Sequence, residues 1–514
     1  MPVTRRSMLG TLASMLARMS VASGVESPAG AGDMDEDYRD FVRRYPSWEA
    51  TANIDAVRRA DYPRLAESGE AYLDYAGASL HADSQVARHA ELLRSRLLGN
   101  PHSVNRPSRN ATRLVDSART AVLDYFRAPS ADYDVIFTAN ATAALRLIGE
   151  CYPFGPDRGF LLTQDNHNSV NGIGEFAKRA GANVTRLPAV AHDLRVDRDA
   201  VARSLTATNP SARGLFAFPA QSNFSGVRHP LALVSQARAA GWDVLLDAAA
   251  YVPTSPLDIA AVLPDFVCVS FYKMFGYPTG VGCLIVRRAV TAGWKREWYS
   301  GGNVKLASVV ADAFVPATDA SAFEDGTVNY LSLPAVAIGL EHLSSLGIGV
   351  INERVGCLTS WTLDRLNALR HRSGRPLVRI LGPKDSTDRG GTIAFTLMDE
   401  RGRPHDIREV CRLAAEAGVG LRSGFFCNPG AGEAAFGLTG ELLKPIFDQR
   451  RDFTFDDLRA DVRHQTGADI GALRASFGIV SDFTDAWRLG RFVERFLDVT
   501  TESVGTEPAR SSPP

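Results

Sequence analysis

Lys273 stands in the run Ser270-Phe-Tyr-Lys-Met-Phe-Gly-Tyr-Pro-Thr-Gly280, directly after the apolar stretch Phe266–Ser270. A lysine at a strand end, backed by a Gly/Pro-rich turn, can sit in a dry pocket, where desolvation lowers the pKa of its amine and frees it to attack a carbonyl. A surface lysine in a turn is the competing reading. Asp247 ends a second apolar stretch, Val244-Leu-Leu-Asp247. A carboxylate there can keep the ring nitrogen of a heteroaromatic cofactor protonated, or it can cap a helix. Phe137-Thr-Ala-Asn-Ala-Thr142 opens a helix with small residues and a hydroxyl, so the free N–H groups around Ala141 and Thr142 form a phosphate site. His167, in Gln164-Asp-Asn-His-Asn-Ser169, can stack on a cofactor ring and shuttle protons. Asn223, in Gln221-Ser-Asn-Phe-Ser-Gly226, can donate to a ring oxygen. Each signal is modest alone. All five follow apolar runs, and in this order and spacing they have few competing explanations.

The elements that must position them follow from the same apolar runs. Val135–Thr138, Phe160–Thr163, Gly214–Phe218, Val244–Asp247, Phe266–Ser270 and Cys283–Val286 read as strands without polar alternation. Helical patterns at Ala141–Glu150, Val170–Ala180 and Pro230–Ala240 separate several of them. That pattern predicts an α/β fold with a mostly parallel sheet covered on both faces, whose ligands sit at the carboxyl ends of the strands. The expected organisation is a leader over 1–34, a large domain over 35–349, a smaller α+β C-terminal domain over 350–499 and a disordered tail over 500–514. Strands at Val378–Leu381 and Thr392–Phe395 and helices at Asp406–Ala417 and Asp482–Phe496 belong to the smaller domain, with a charged insertion over roughly 439–466.

Composition excludes several classes. Lys plus Arg number 57 against 58 Asp plus Glu, so no basic excess points to nucleic acid. No run outside the leader is long and apolar enough to span a membrane. None of the six cysteines pairs as Cys-x-x-Cys, so neither a zinc ribbon nor any other metal site is expected, and a chain this long can bury a core without a disulfide framework. The expected location is the cytoplasm. Thr4-Arg5-Arg6-Ser7-Met8-Leu9 gives the alternative of export through a twin-arginine-like signal over 1–31.

The order phosphate turn, histidine, Ser-Asn-x-x-Gly, strand Asp and Ser-x-x-Lys resembles the class V aminotransferase and cysteine desulfurase superfamily, over roughly residues 70–498. The resemblance implies the pyridoxal 5'-phosphate (PLP) transferase fold of type I, with Lys273 carrying PLP. It gives Asp247, Asn223, His167, Ala141, Thr142 and Ser270 as further cofactor contacts. Phe323-Glu-Asp-Gly-Thr-Val-Asn329 resembles the segment whose threonine reaches the cofactor phosphate of the neighbouring subunit, which implies a homodimer and that role for Thr327. Tyr72-Leu-Asp-Tyr-Ala-Gly-Ala78, Gly99-Asn-Pro-His-Ser103, Leu246-Asp-Ala-Ala-Ala250 and Arg422-Ser-Gly-Phe-Phe-Cys-Asn-Pro-Gly-Ala431 are similar to the N-terminal domain of molybdenum cofactor sulfurases. Ala250 and Tyr272, where other cysteine desulfurases carry Gln and His, favour that branch. By this resemblance Cys427 is the persulfide-forming cysteine, its thiolate favoured by Arg422. Arg474, in Leu473-Arg-Ala-Ser-Phe477, then grips the substrate carboxylate.

The implied activity is conversion of L-cysteine to L-alanine, with the sulfur left on Cys427 for an acceptor that the sequence does not name. Another PLP reaction on an amino acid (C–S lysis, epimerisation or transamination) is the alternative, and a non-catalytic binding protein a third. Two departures stand against the branch. Gly432 replaces a second cysteine of the loop, and the sequence ends at Pro514 without the C-terminal segment that would bind a pterin cofactor.

Overall fold

The computed structural model describes residues 31–101, 103–207, 214–301, 303–449 and 452–501, so most of the expected leader and nearly all of the tail lie outside the described residues. The chain divides into two compact units, residues 1–46 and 47–514. In the first, helix α1 (Ala31–Arg44) carries Asp33 in its first turn and Arg43 and Arg44 in its last, the charge placement a helix dipole favours.

The second unit contains a seven-stranded sheet. Its strands are β1 (Tyr133–Thr138), β2 (Phe160–Thr163), β3 (Val184–Leu187), β4 (Leu215–Pro219), β5 (Asp243–Asp247), β6 (Phe266–Ser270) and β7 (Gly282–Arg287), in the spatial order β1-β7-β6-β5-β4-β2-β3. The pairs β2–β3, β2–β4, β4–β5 and β5–β6 are parallel, and β7 runs antiparallel to both β1 and β6. Every residue of β2, β4 and β6 is buried, as continuous Val, Leu and Phe runs require when helices cover both faces. Full burial of side chains such as Phe216, Leu245 and Val267 stabilises the sheet by about 1.5–3 kcal/mol each. All six expected strands are present. The edge strand β3 escaped sequence reading because Thr185 and Arg186 face outward and break its apolar run.

Helix α2 (Ala141–Cys151) follows β1, and the short helix α3 (Phe271–Phe275) follows β6. Gly282 makes the join between them close: a Cβ there would lie 2.6 Å from the Asn140 Cα and 2.6 Å from the Val269 oxygen. Only glycine lets β7 pass under the first turn of α2.

A four-stranded antiparallel sheet is built from β8 (Val378–Leu381), β9 (Thr392–Leu397), β10 (Arg422–Gly424) and β11 (Ala472–Ser476), ordered β8-β9-β11-β10. Helix α4 (Pro429–Phe436) follows β10. The 439–466 segment, expected only as a charged insertion, forms helices α5 (Gly440–Gln449) and α6 (Phe455–Thr466). These close a small core of Ile446, Val462 and Ile470 against Phe425 and Phe436. Among the described residues, no single helix is long and apolar enough to cross a membrane.

Candidate active site

The carboxyl ends of β1, β2, β4, β5 and β6 open on one cavity of about 110 Å³, lined by Ala141, Thr142, His167, Asn223, Asp247, Ser270 and Lys273 among others. Five separate sequence runs therefore meet where a parallel sheet places its ligands.

At the first turn of α2, Asn140 caps the helix by accepting from the Ala143 amide at 3.0 Å. The Ala141 amide donates to Ser270 Oγ at 2.8 Å, and the Thr142 and Ser169 hydroxyls lie 2.8 Å apart. The turn thus offers hydroxyls beside the helix N-terminus, while Ser270 fixes its position from β6.

Lys273 is biased toward its neutral amine. Burial pushes its pKa down, opposed by the Asp247 carboxylate and reinforced by Arg474. Asp247 is 7% exposed, and its Oδ1 accepts from the Ala249 amide at 3.1 Å, which sets the carboxylate in the cavity wall. His167 Nδ1 accepts from the Ser169 amide at 3.1 Å, so the neutral ring carries its proton on Nε2. Burial lowers its pKa from the ordinary 6.5, with Asp247 opposing.

Asn223 lines the same cavity, but its amide also serves a second structure. Its Nδ2 donates to the Phe426 oxygen at 2.7 Å, and its Oδ1 accepts from Asn428 at 2.9 Å. The turn it anchors holds Cys427, the one exposed cysteine of the six. Phe426 and Cys427 both adopt the left-handed region, at φ 55° and 56°, which is unfavourable for residues with a Cβ and persists only when surroundings impose it. The Asn168 amide donates to the Cys427 oxygen at 2.7 Å, and Asn428 donates to the Asp165 oxygen at 2.8 Å while capping α4 through Ala431. Asn428 was not singled out by sequence reading, although an Asn before Pro-Gly is an ordinary helix-cap signal. At Gly432 a Cβ would meet the Phe425 ring at 2.6 Å, so the second cysteine of the loop has no room here.

Arg422 and Arg474 share one partner. Neither is a free cation, because both bind Asp74, which sequence reading did not assign. Arg474 is 2% exposed; its Nη2 donates to Asp74 Oδ1 at 2.8 Å, its Nη1 to the Asn223 oxygen at 3.0 Å, and it stacks over the Phe426 ring at 4.6 Å. Arg422 Nε lies 2.9 and 3.1 Å from the two oxygens of Asp74. Arg422 is therefore half of an ion pair. Thr327 is not brought to the Lys273 cavity. It lines a separate cleft of about 240 Å³ with Thr138, Ala139 and Ala143.

The cavity fits PLP. A neutral-biased lysine can bond covalently to its aldehyde, Asp247 can hold its ring nitrogen protonated, His167 can stack on its ring, and the hydroxyl-rich first turn of α2 can take its phosphate.

The chain is similar to known proteins across this whole region. It is 34% identical over 497 residues to the molybdenum cofactor sulfurase of Solanum lycopersicum, covering 90% of this chain and 60% of that protein. With the human molybdenum cofactor sulfurase it shares 34% over 475 residues, 88% of this chain and 52% of the relative. It thus spans roughly half to three-fifths of these relatives' length. The fold is shared with a cysteine desulfurase of Thermococcus onnurineus, at a TM-score of 0.71 and 20% identity over 86% of this chain and 98% of that one. The aminotransferase class-V family model matches residues 71–489. That match takes in both sheets, the lysine and the cysteine turn, and the chain belongs to the aminotransferase class-V family.

Proposed function

We propose that this chain is a PLP-dependent cysteine desulfurase that converts L-cysteine to L-alanine and stores the sulfur as a persulfide on Cys427. The observation that carries the reading is the exposed Cys427 turn, locked by Asn223 and Asn428 beside the cavity of Lys273 and Asp247. PLP, when bound, supplies the electron withdrawal that loosens the substrate's C–S bond.

The rest falls to the chain. Lys273, whose pKa burial lowers, is ready to bond to the cofactor and to carry protons to and from the substrate carbon. Asp247 holds a proton at the ring nitrogen. Arg474 orients the substrate carboxylate, and the Cys427 thiolate attacks the substrate sulfur. A new S–S bond forms as the C–S bond breaks, and the carbon takes a proton. One cysteine and one thiol give one alanine and one persulfide, with no outside oxidant. The acceptor that removes the sulfur is a further thiol or sulfur-binding partner of unnamed identity. We place the enzyme as a homodimer in which Thr327 completes the neighbour's phosphate site.

Purified protein loaded with PLP should release alanine from L-cysteine and show a gain of one sulfur atom on the Cys427 peptide by mass spectrometry. Pyruvate as the main product, with no persulfide, would reject the desulfurase in favour of a C–S lyase. The pH dependence follows from His167. Its depressed pKa keeps the ring neutral at neutral pH, so activity limited by that ring should fall only as pH drops below the ordinary 6.5. In His167→Gln the rate should fall on the order of 10²-fold and the acid limb should disappear. A parental acid limb in the variant would assign the titration elsewhere.

A further inference from the structure

The segment Tyr72–Ala78 matches a family motif, yet the reaction above gives it no task. Its centre is Asp74. Arg422 and Arg474 are direct partners across β10 and β11, an arrangement that sets two like charges side by side and is unfavourable unless offset. Asp74 offsets it, accepting from Arg474 Nη2 at 2.8 Å and from Arg422 Nη2 at 2.5 Å.

Three features hold Asp74 there. It bridges to Ser476 as an added parallel strand residue. The Ser476 hydroxyl accepts from the Ala76 amide at 2.8 Å. Gly77 folds over the carboxylate so closely that a Cβ would stand 2.6 Å from Asp74 Oδ2 and 2.8 Å from Arg422 Nη2. The backbone is shaped around this ion cluster.

The charge count is uneven. Two guanidiniums, which do not deprotonate, share one carboxylate, leaving a single positive charge. Burial disfavours the Arg474 cation, and Asp74 is the chief group restoring it. Arg474 stacks over the ring of Phe426, the residue before Cys427, at 4.6 Å, and Arg422 is tied to the same carboxylate, so both charges stand on the cysteine-turn side of the site.

We infer that Asp74 is a specificity-determining and positioning residue, which fixes the orientation of Arg474 and Arg422 and cancels one of their charges, so that the site accepts amino acids with one carboxylate and discriminates against those whose side chain carries a second anionic group. The inference rests on the desulfurase reading, in which Arg474 takes the substrate carboxylate.

The test is calorimetric titration of the PLP-loaded enzyme with L-alanine and with L-aspartate. In Asp74→Asn two uncancelled cations remain. The affinity ratio of aspartate to alanine should rise on the order of tenfold, while Asp74→Glu keeps it near the parental value. A ratio within about twofold of the parent in Asp74→Asn overturns the inference. If Asp74→Asn does not fold, the half-exposed Arg422→Gln carries the test with the opposite sign. One cation then faces one carboxylate, and the ratio should fall at least about threefold; an unchanged ratio overturns the inference equally. Should the parent enzyme make no alanine from L-cysteine, the desulfurase reading fails on its own, and the ratio still decides the role of Asp74.

Discussion

Lys273→Ala should yield a folded protein to which borohydride no longer fixes PLP, and its turnover should drop by about 10³- to 10⁶-fold, the range set by losing a proton carrier and a covalent nucleophile together. Folding should survive because Lys273 takes no part in the packing that holds α3. Phe271, Met274 and Phe275 supply that packing and are fully buried, whereas the amine faces the cavity wall carrying Asp247. Removing a buried amine whose charged form is disfavoured also removes a desolvation cost, so thermal stability without cofactor should not fall. Mass spectrometry after borohydride treatment checks the first expectation. A cofactor adduct that persists on another residue would displace Lys273 from its role.

Cys427→Ala separates the desulfurase from a lyase on the same scaffold. Arg474, Lys273 and Asp247 are untouched, so L-cysteine should still bind and perturb the cofactor's visible absorption. Alanine release should fall at least on the order of 10²-fold, because no thiol remains to take the sulfur. The other five cysteines cannot substitute. Cys268 and Cys283 are fully buried and burial pushes their thiols up, while Cys151, Cys357 and Cys411 are buried or half-buried with thiols likewise raised. A lyase expels sulfide without a thiol, so full activity in this variant, with pyruvate as product, would reject the persulfide step.

The residues readable in advance were those whose placement is local to a strand end. Asp247, His167 and Lys273 each follow an unbroken apolar run, and in a parallel sheet that address alone delivers them to the ligand edge. Asp74 and Asn428 carry no such address. Asp74 acts through arginines 348 and 400 residues away in the chain, and Asn428 through Asn223, 205 residues away, so their importance arises only once the two sheets are in place. Strands β10 and β11 hid for a related reason. Their Arg422, Ser423, Arg474 and Ser476 break the apolar pattern because they face ions and hydroxyls. The helices of 439–466 were masked by charge, although the Thr454–Asp457 capping box was in plain view.

The left-handed pair Phe426–Cys427 has a consequence for delivery. Both carbonyls are tied down, by Asn223 and by the Asn168 amide, so a sulfur carried on Cys427 would lack the slack to swing toward a distant recipient. Loading and unloading then happen at one fixed address, and the reach must be supplied from outside. In the desulfurase reading the recipient's reactive atom must come to this exposed thiol, because the thiol's backbone is fixed.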